Sequence, residues 1–142
     1  MFLTTKGRYA VMALVDIAIN SNGKPVTLSE IAARQTIDLG YLEQIFTKLR
    51  KVGLVGSVRG PGGGYLLKRA GNEIFVSDVM FAVDESIKMT RCEHKTGMGC
   101  LDNKSRCTTH HFWEDLEDHI YNFLKSITIA DVATKNTRMR LA

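Results

Sequence analysis

Five residues, Gly60-Pro61-Gly62-Gly63-Gly64, constrain the fold more than any other stretch of the 142. Four glycines around a proline present almost no side chain to a core, cannot propagate a helix, and admit backbone angles closed to other residues. Strand-like segments flank them, Leu54-Val55-Gly56-Ser57-Val58-Arg59 before and Tyr65-Leu66-Leu67-Lys68 after. The combination predicts a β-hairpin with a glycine-rich turn. A nucleotide-cradling loop would close on Gly-Lys-Ser/Thr and run straight into a helix, and this segment does neither. Backbone without side chains can instead approach a nucleic acid closely, with Arg59 beside it able to enter a minor groove.

The residues upstream give that hairpin its context. Ala10, Val11, Ala13, Leu14, Ile17 and Ala18 share one face of a helix over 8–21, which Asn20-Ser21-Asn22-Gly23 stops. Its start carries Lys6 and Arg8, where the helix dipole favours negative charge. That placement suits a bound phosphate, held by backbone N–H groups, the two cations and the Tyr9 hydroxyl. Thr27-Leu28-Ser29-Glu30 fits a capping box that opens a short helix with Leu28, Ile31 and Ala32 inward. Asp38 is a candidate N-cap for a third helix, whose Leu42, Ile45, Phe46 and Leu49 form a buried stripe. Its other face shows Tyr41, Glu43, Gln44, Thr47, Lys48, Arg50 and Lys51. Two short helices joined by a tight turn, the second offering long hydrogen-bonding side chains, is the helix-turn-helix pattern. Followed at once by the glycine-rich ribbon, it predicts a winged helix: a mainly α fold with a small β-hairpin wing. Thr27, Ser57 and Gly60 join Lys6, Arg8, Tyr9, Tyr41, Glu43, Gln44, Thr47, Lys48, Arg50 and Arg59 as candidate DNA contacts.

Charge points the same way. Residues 1–70 hold ten Lys and Arg against four Asp and Glu, whereas 71–142 hold nine against eleven. A basic first half beside a mildly acidic second half suits a polyanionic partner in the first half. The longest apolar run, Ala10 to Ile19, is interrupted by Asp16 and is too short to span a bilayer. No signal-peptide pattern is indicated at the start, so a cytoplasmic, non-membrane protein is expected.

The second half contains every thiol: Cys92, Cys100 and Cys107, with His110 closing Cys107-Thr108-Thr109-His110. The intervening residues are small and polar, without helical or strand period, and cannot bury enough apolar surface to order themselves. Three thiolates and an imidazole converging on one ion or cluster would supply the missing constraint. An odd number of cysteines argues against a structural disulfide. The spacing leaves an iron–sulfur cluster, zinc and no metal all open, although zinc sites commonly use closer cysteine pairs. No nucleophile–base–orienter set suggests an enzyme.

Ile74-Phe75-Val76 reads as a short strand, with Ser77 capping a helix through Val83. After the thiol segment, Trp113, Leu116, Ile120, Phe123 and Ile127 alternate spacings of three and four, a heptad seam suited to a dimerisation helix. Thr128-Ile129-Ala130-Asp131 caps a last short helix. The expected organisation is a winged helix-turn-helix DNA-binding domain over 1–83, a cluster-binding loop region over 84–111, and the dimerisation and short C-terminal helices over 112–134. A disordered tail is expected over 135–142.

Several longer motifs resemble the IscR-type iron–sulfur regulators, a branch of the Rrf-type winged-helix transcription factors. They are Leu3-Thr4-Thr5-Lys6-Gly7-Arg8-Tyr9-Ala10, Tyr41-Leu42-Glu43-Gln44, Leu49-Arg50-Lys51, Val58 through Tyr65, Ala82-Val83-Asp84-Glu85-Ser86, and the three cysteines with His110. The resemblance runs from Met1 to about Asp131. It implies a homodimer carrying one 2Fe–2S cluster per subunit, ligated by Cys92, Cys100, Cys107 and His110. It also implies binding to promoter DNA through Tyr9, Tyr41, Gln44, Arg50 and Arg59, and regulation, mainly repression, of cluster-assembly genes including its own operon. The cluster-assembly machinery would supply the cluster. The chain departs from the pattern at Asp38 and Gly40, where relatives tend to have serines, and in slightly longer cysteine spacings. A zinc-stabilised or cluster-free repressor, or a redox or cluster-carrying protein, are the alternatives on the residues alone.

Overall fold

The computed structural model describes residues 3–93 and 96–137. Among these the elements run α1 (Thr5–Asn20), α2 (Leu28–Gln35), α3 (Leu39–Lys51), β1 (Val55–Val58), β2 (Gly64–Leu67), a single 3₁₀ turn at Gly71–Glu73, α4 (Val76–Ala82), α5 (His110–Ser126) and α6 (Ile129–Ala133). The mainly helical architecture with a two-stranded wing agrees with the fold predicted from sequence.

Local chemistry explains most of the boundaries. In α2, Thr27 N–H donates to Glu30 Oε2 at 2.8 Å while Glu30 N–H donates back to Thr27 Oγ1 at 3.2 Å, the reciprocal cap expected. Asp38 accepts from Tyr41 N–H at 2.9 Å and so opens α3. The stripe Leu42, Ile45, Phe46 and Leu49 is buried, and meets Ala10, Ala13, Leu14 and Ile17 of α1 in the main core. Ile74 and Ile129 reach the same core from the far side, so α6 closes the body that α1 to α3 begin. A smaller cluster of Val76, Met80 and Ile127 seats the end of α5.

The wing is antiparallel, with Val55 opposite Leu67 and Val58 opposite Gly64. Val26 adds a single bridge to Tyr65, N–H to carbonyl in both directions, which anchors the ribbon to the α1–α2 connection. The glycines of the turn meet two different constraints. Gly60 and Gly62 adopt φ of +93° and +72°, while a Cβ on Gly63 would strike the Val58 carbonyl oxygen.

Two expectations are corrected. Ile74-Phe75-Val76 forms no strand: Phe75 makes one isolated bridge to Thr128, and Val76 already begins α4. Ser77 does not cap that helix either, because Asp78 Oδ2 reaches back to Phe75 N–H at 3.1 Å. The chain returning at 127–129 takes the neighbouring backbone groups, Val76 N–H to Ile127 O and Ile129 N–H to Ile74 O, leaving no length for a ladder. Of the tail expected to be disordered, residues 138–142 lie outside the described residues.

Asp16, which only interrupts an apolar run in the sequence, is the buried polar centre of the helical body. Its side chain is fully buried and accepts from Arg34 Nη2 at 2.7 Å, Arg34 Nε at 3.0 Å and Gln35 Nε2 at 2.8 Å, tying α1 to the end of α2. Burial alone would raise its pKa, but these bonds and the Arg34 charge hold it below the usual carboxylate value.

Candidate nucleic-acid interface and metal centre

On α3 the side chains of Glu43, Gln44, Thr47 and Arg50 are exposed, and those of Tyr41 and Lys48 half-buried. The core stripe on the opposite side of the helix dictates this arrangement. Thr47 Oγ1 donates to the Glu43 carbonyl at 2.9 Å, which fixes its rotamer against the helix. Tyr41 packs edge-on against Tyr9 with ring centroids 5.9 Å apart, and its hydroxyl lies 3.4 Å from the Thr5 hydroxyl. The start of α1 and the exposed face of α3 therefore form one surface, with Lys6, Gln44 and Lys48 lining a shallow hollow between them. Arg8, Ser57, Arg59 and Gly60 are exposed. Thr27 is exposed too, but its hydroxyl is engaged in the α2 cap.

Part of the backbone at the start of α1 is already engaged within the chain: Glu85 accepts from Thr4 N–H, Thr4 Oγ1 and Gly7 N–H, the last at 2.8 Å. This carboxylate from a distant segment supplies the negative charge that the helix dipole requires. Partial burial would raise the Glu85 pKa, but the Thr4 and Gly7 bonds and the nearby Lys6 bring it below the usual value. Its neighbour Asp84 pairs with Lys48 at 2.8 Å, and the Asp84 carbonyl accepts from Lys6 Nζ at 3.4 Å. Neither acidic residue carries a local sequence signal for these roles. They act across 36 to 81 residues.

The three thiols and His110 line a single cavity of about 250 Å³, together with Thr90 and Trp113. Cys92 and His110 are each 4% exposed; Cys100 and Cys107 are half-buried. His94 and Lys95 lie outside the described residues. Beyond them the segment is mostly exposed, as its composition requires, but it bends on itself: Gly99 N–H donates to Lys104 O at 2.8 Å and Lys104 N–H to Leu101 O at 2.8 Å. A Cβ on Gly99 would collide with the Ser105 carbonyl, so the turn that brings Cys100 back toward Cys107 needs glycine there. The Thr109 hydroxyl and backbone beside Cys107, with Cys100 adding to them, lower its thiol pKa and favour the thiolate that binds metals.

His110 is the first residue of α5, and among the described residues neither ring nitrogen has a hydrogen-bond partner; the Glu114 carboxylate stands 3.6 Å from Nε2. A buried imidazole with both nitrogens unsatisfied is costly, which makes it a candidate ligand. Among the described residues no three His, Cys, Asp or Glu side chains are already gathered closely enough to hold a single metal ion. The donor set and its shared cavity fit a thiolate-rich metal group; final convergence of the four side chains would accompany binding. His111, one position further round, is exposed.

On α5, Trp113, Leu116 and Phe123 are 41%, 36% and 40% exposed and Ile120 is half-buried, a row of apolar side chains facing outward. Ile127 does not extend that row. It follows the end of the helix and is 2% exposed against Val76 and Met80 in its own chain, because the backbone turns there to start α6. An apolar groove of about 370 Å³ runs from Phe123 and Leu124 to Val11 and Met12 of α1.

Comparison with known proteins agrees with this architecture. The family model described as Rrf2, iron-dependent transcriptional regulator, matches residues 3–135. The chain is 50% identical over 142 residues to the HTH-type transcriptional regulator IscR of Photorhabdus laumondii, covering all of this chain and 85% of that protein. It is 52% identical over 132 residues to IscR of Escherichia coli O139:H28, covering 93% of this chain and 80% of the relative. Among solved structures, T. potens IscR superposes with a TM-score of 0.77 at 35% identity, covering all of this chain and 93% of that one. CymR, the global cysteine regulator of B. subtilis, superposes with a TM-score of 0.80 at 27% identity, over 95% and 98% of the two chains. No helix among the described residues is long and apolar enough to cross a membrane. The chain belongs to the Rrf2 family of DNA-binding transcriptional regulators, not to a family of enzymes.

Proposed function

We propose that the protein is an iron–sulfur-cluster-sensing regulator, mainly a repressor, of cluster-assembly genes including its own operon. The observation that carries the reading is the buried His110 imidazole, without a hydrogen-bond partner among the described residues, sharing one cavity with Cys92, Cys100 and Cys107. These four side chains would hold a 2Fe–2S cluster, one per subunit, delivered by the cluster-assembly machinery; zinc is the competing occupant. Three thiolates and one imidazole would leave such a cluster less negative than four thiolates and give it a ligand that protons can displace, which suits a labile sensor.

The remaining chemistry belongs to the chain. Gln44 and Arg50 would read base edges, adenine and guanine respectively, unless Arg50 holds phosphate instead; Lys6, Arg8 and Lys48 would meet the phosphate backbone, and Arg59 would enter a minor groove. Tyr9 and Tyr41 brace one another between the two groups. Glu43 can accept from cytosine N4 or repel phosphate, and so exclude some sequences. Trp113, Leu116, Ile120 and Phe123 would pair two subunits, setting their recognition helices on successive major grooves about 34–36 Å apart. His110 begins the helix that bears this row, so restraint of its imidazole reaches the subunit interface within one turn.

Anaerobic purification with iron and sulfide quantified tests the reading. The wild type should be coloured and contain both. Cys92→Ala should lose the visible absorption while remaining a dimer by light scattering. Colourless wild-type protein that resists reconstitution, or a Cys92→Ala variant as coloured as wild type, would exclude it.

A further inference from the structure

Asp84 occupies an unusual position. It follows α4 with φ of +57°, the left-handed conformation that favours glycine at the end of a helix. Asp84 N–H donates to Phe81 O and Glu85 N–H to Met80 O, the paired bonds of a Schellman ending. Glycine would meet that backbone requirement with less strain, yet the position carries a carboxylate. The side chain reaches Lys48 on the recognition helix at 2.8 Å, while the Asp84 carbonyl receives Lys6 at 3.4 Å and Lys51 adds a third nearby positive charge. Both partners of the ion pair are open to solvent, so it lies on the surface where a DNA phosphate would approach Lys48.

We propose that Asp84 is a built-in competitor of the DNA backbone for Lys48, lowering the sequence-independent part of DNA affinity so that binding depends more on base contacts. A carboxylate and a phosphate present the same chemistry to an ammonium group, so Asp84 both offsets the Lys48 charge and repels a phosphate that approaches it. Non-specific binding is almost wholly electrostatic, so removing one competing anion strengthens it and steepens its salt dependence. Asp84 also begins the segment leading to Cys92, and Glu85 beside it caps α1, so movement of that segment would alter the pairing directly. The inference rests on Lys48 facing phosphate, as proposed above.

The test uses full-length Asp84→Gly and Asp84→Asn, both compatible with the left-handed backbone, and measures binding to a mixed-sequence duplex across a salt series. Thermal unfolding checks that both variants remain folded. Competition predicts dissociation constants lowered about two- to five-fold at low salt for each subunit whose Lys48 meets the duplex, the range for release of one exposed ion pair. The salt slope should steepen by up to about 0.9 for each such subunit. In a Lys48→Ala background the gain should largely vanish. Unchanged or weaker binding by both Asp84 variants, with Lys48→Ala itself weakening binding, overturns the competition and makes Asp84 a positioning residue. If Lys48→Ala leaves binding unchanged, the assignment of Lys48 to phosphate fails and the inference falls with it.

Discussion

Arg34→Ala removes a residue whose side chain is 38% exposed and well away from the candidate sites, yet it should be among the more damaging substitutions in the helical body. The cost falls on Asp16. Its Oδ1 accepts from Arg34 Nη2, and its Oδ2 from Arg34 Nε and Gln35 Nε2. Without Arg34 the fully buried carboxylate loses both guanidinium bonds and its only ion-pair partner, keeping the Gln35 bond to Oδ2 and the influence of the nearby Asn20 side chain. Breaking a buried pair by removing one partner costs about 3–5 kcal/mol. The lower end, about 3 kcal/mol, applies here, because water can reach the space that a partly exposed Arg34 vacates. For a chain of this size that loss lowers Tm by about 10 °C.

The pH dependence supplies a sharper check. In the wild type the Asp16 pKa lies below its unfolded value, so its contribution is present above about pH 4 and is lost as the pH falls further. In Arg34→Ala, burial, already the largest single influence on this group, is opposed only by the Gln35 and Asn20 side chains and should raise the pKa above 3.8. The folded state then binds a proton more readily than the unfolded chain, and stability should rise as pH is lowered from about 7 toward 4. Asp16→Asn should cost less than Arg34→Ala, since it leaves no buried charge and Arg34 can turn to solvent. Urea unfolding at fixed protomer concentration across that pH range measures all three. An Arg34→Ala variant as stable as wild type, or one that loses stability on acidification as wild type does, would refute the reasoning.

Other substitutions separate the remaining parts of the molecule. Glu43→Ala should broaden the set of DNA sites bound, read on a binding array; an unchanged preference removes its exclusion role. Glu85→Gln should lower stability by about 1 kcal/mol at neutral pH, as loss of a helix cap does, with the difference from wild type shrinking as acid protonates Glu85 below its usual pKa. Gly99→Ala should disturb the turn that returns Cys100 toward Cys107, and so deplete visible absorption and iron content while binding to a mixed-sequence duplex persists. Cofactor content equal to wild type would show that the turn tolerates a side chain.

What could be read from the sequence was what the sequence encodes locally. Thr27 and Glu30 lie three residues apart, so the capping box and the start of α2 were legible, as were Asp38 at the head of α3 and the stripe from Leu42 to Leu49. The glycine run declared the wing, because a hairpin turn is decided by the residues within it. Three features were not legible. Ile74 to Val76 has strand composition, but the returning chain takes its backbone groups singly, and a ladder needs a partner of matching length. Ile127 keeps the spacing of the α5 seam, yet the helix ends at Ser126 and the next turn folds it inward; periodicity records spacing, not where a helix stops. The cations at the start of α1 suggested an anion, correctly in sign, but the anion at the backbone N–H groups is Glu85 from the far side of the fold. Charge patterning therefore identified what the α1 terminus needed without identifying what supplied it. That distinction matters for the proposed DNA surface: if Lys48 is to meet phosphate it must first leave Asp84, so its contribution to affinity would depend on the segment that delivers both Asp84 and Glu85.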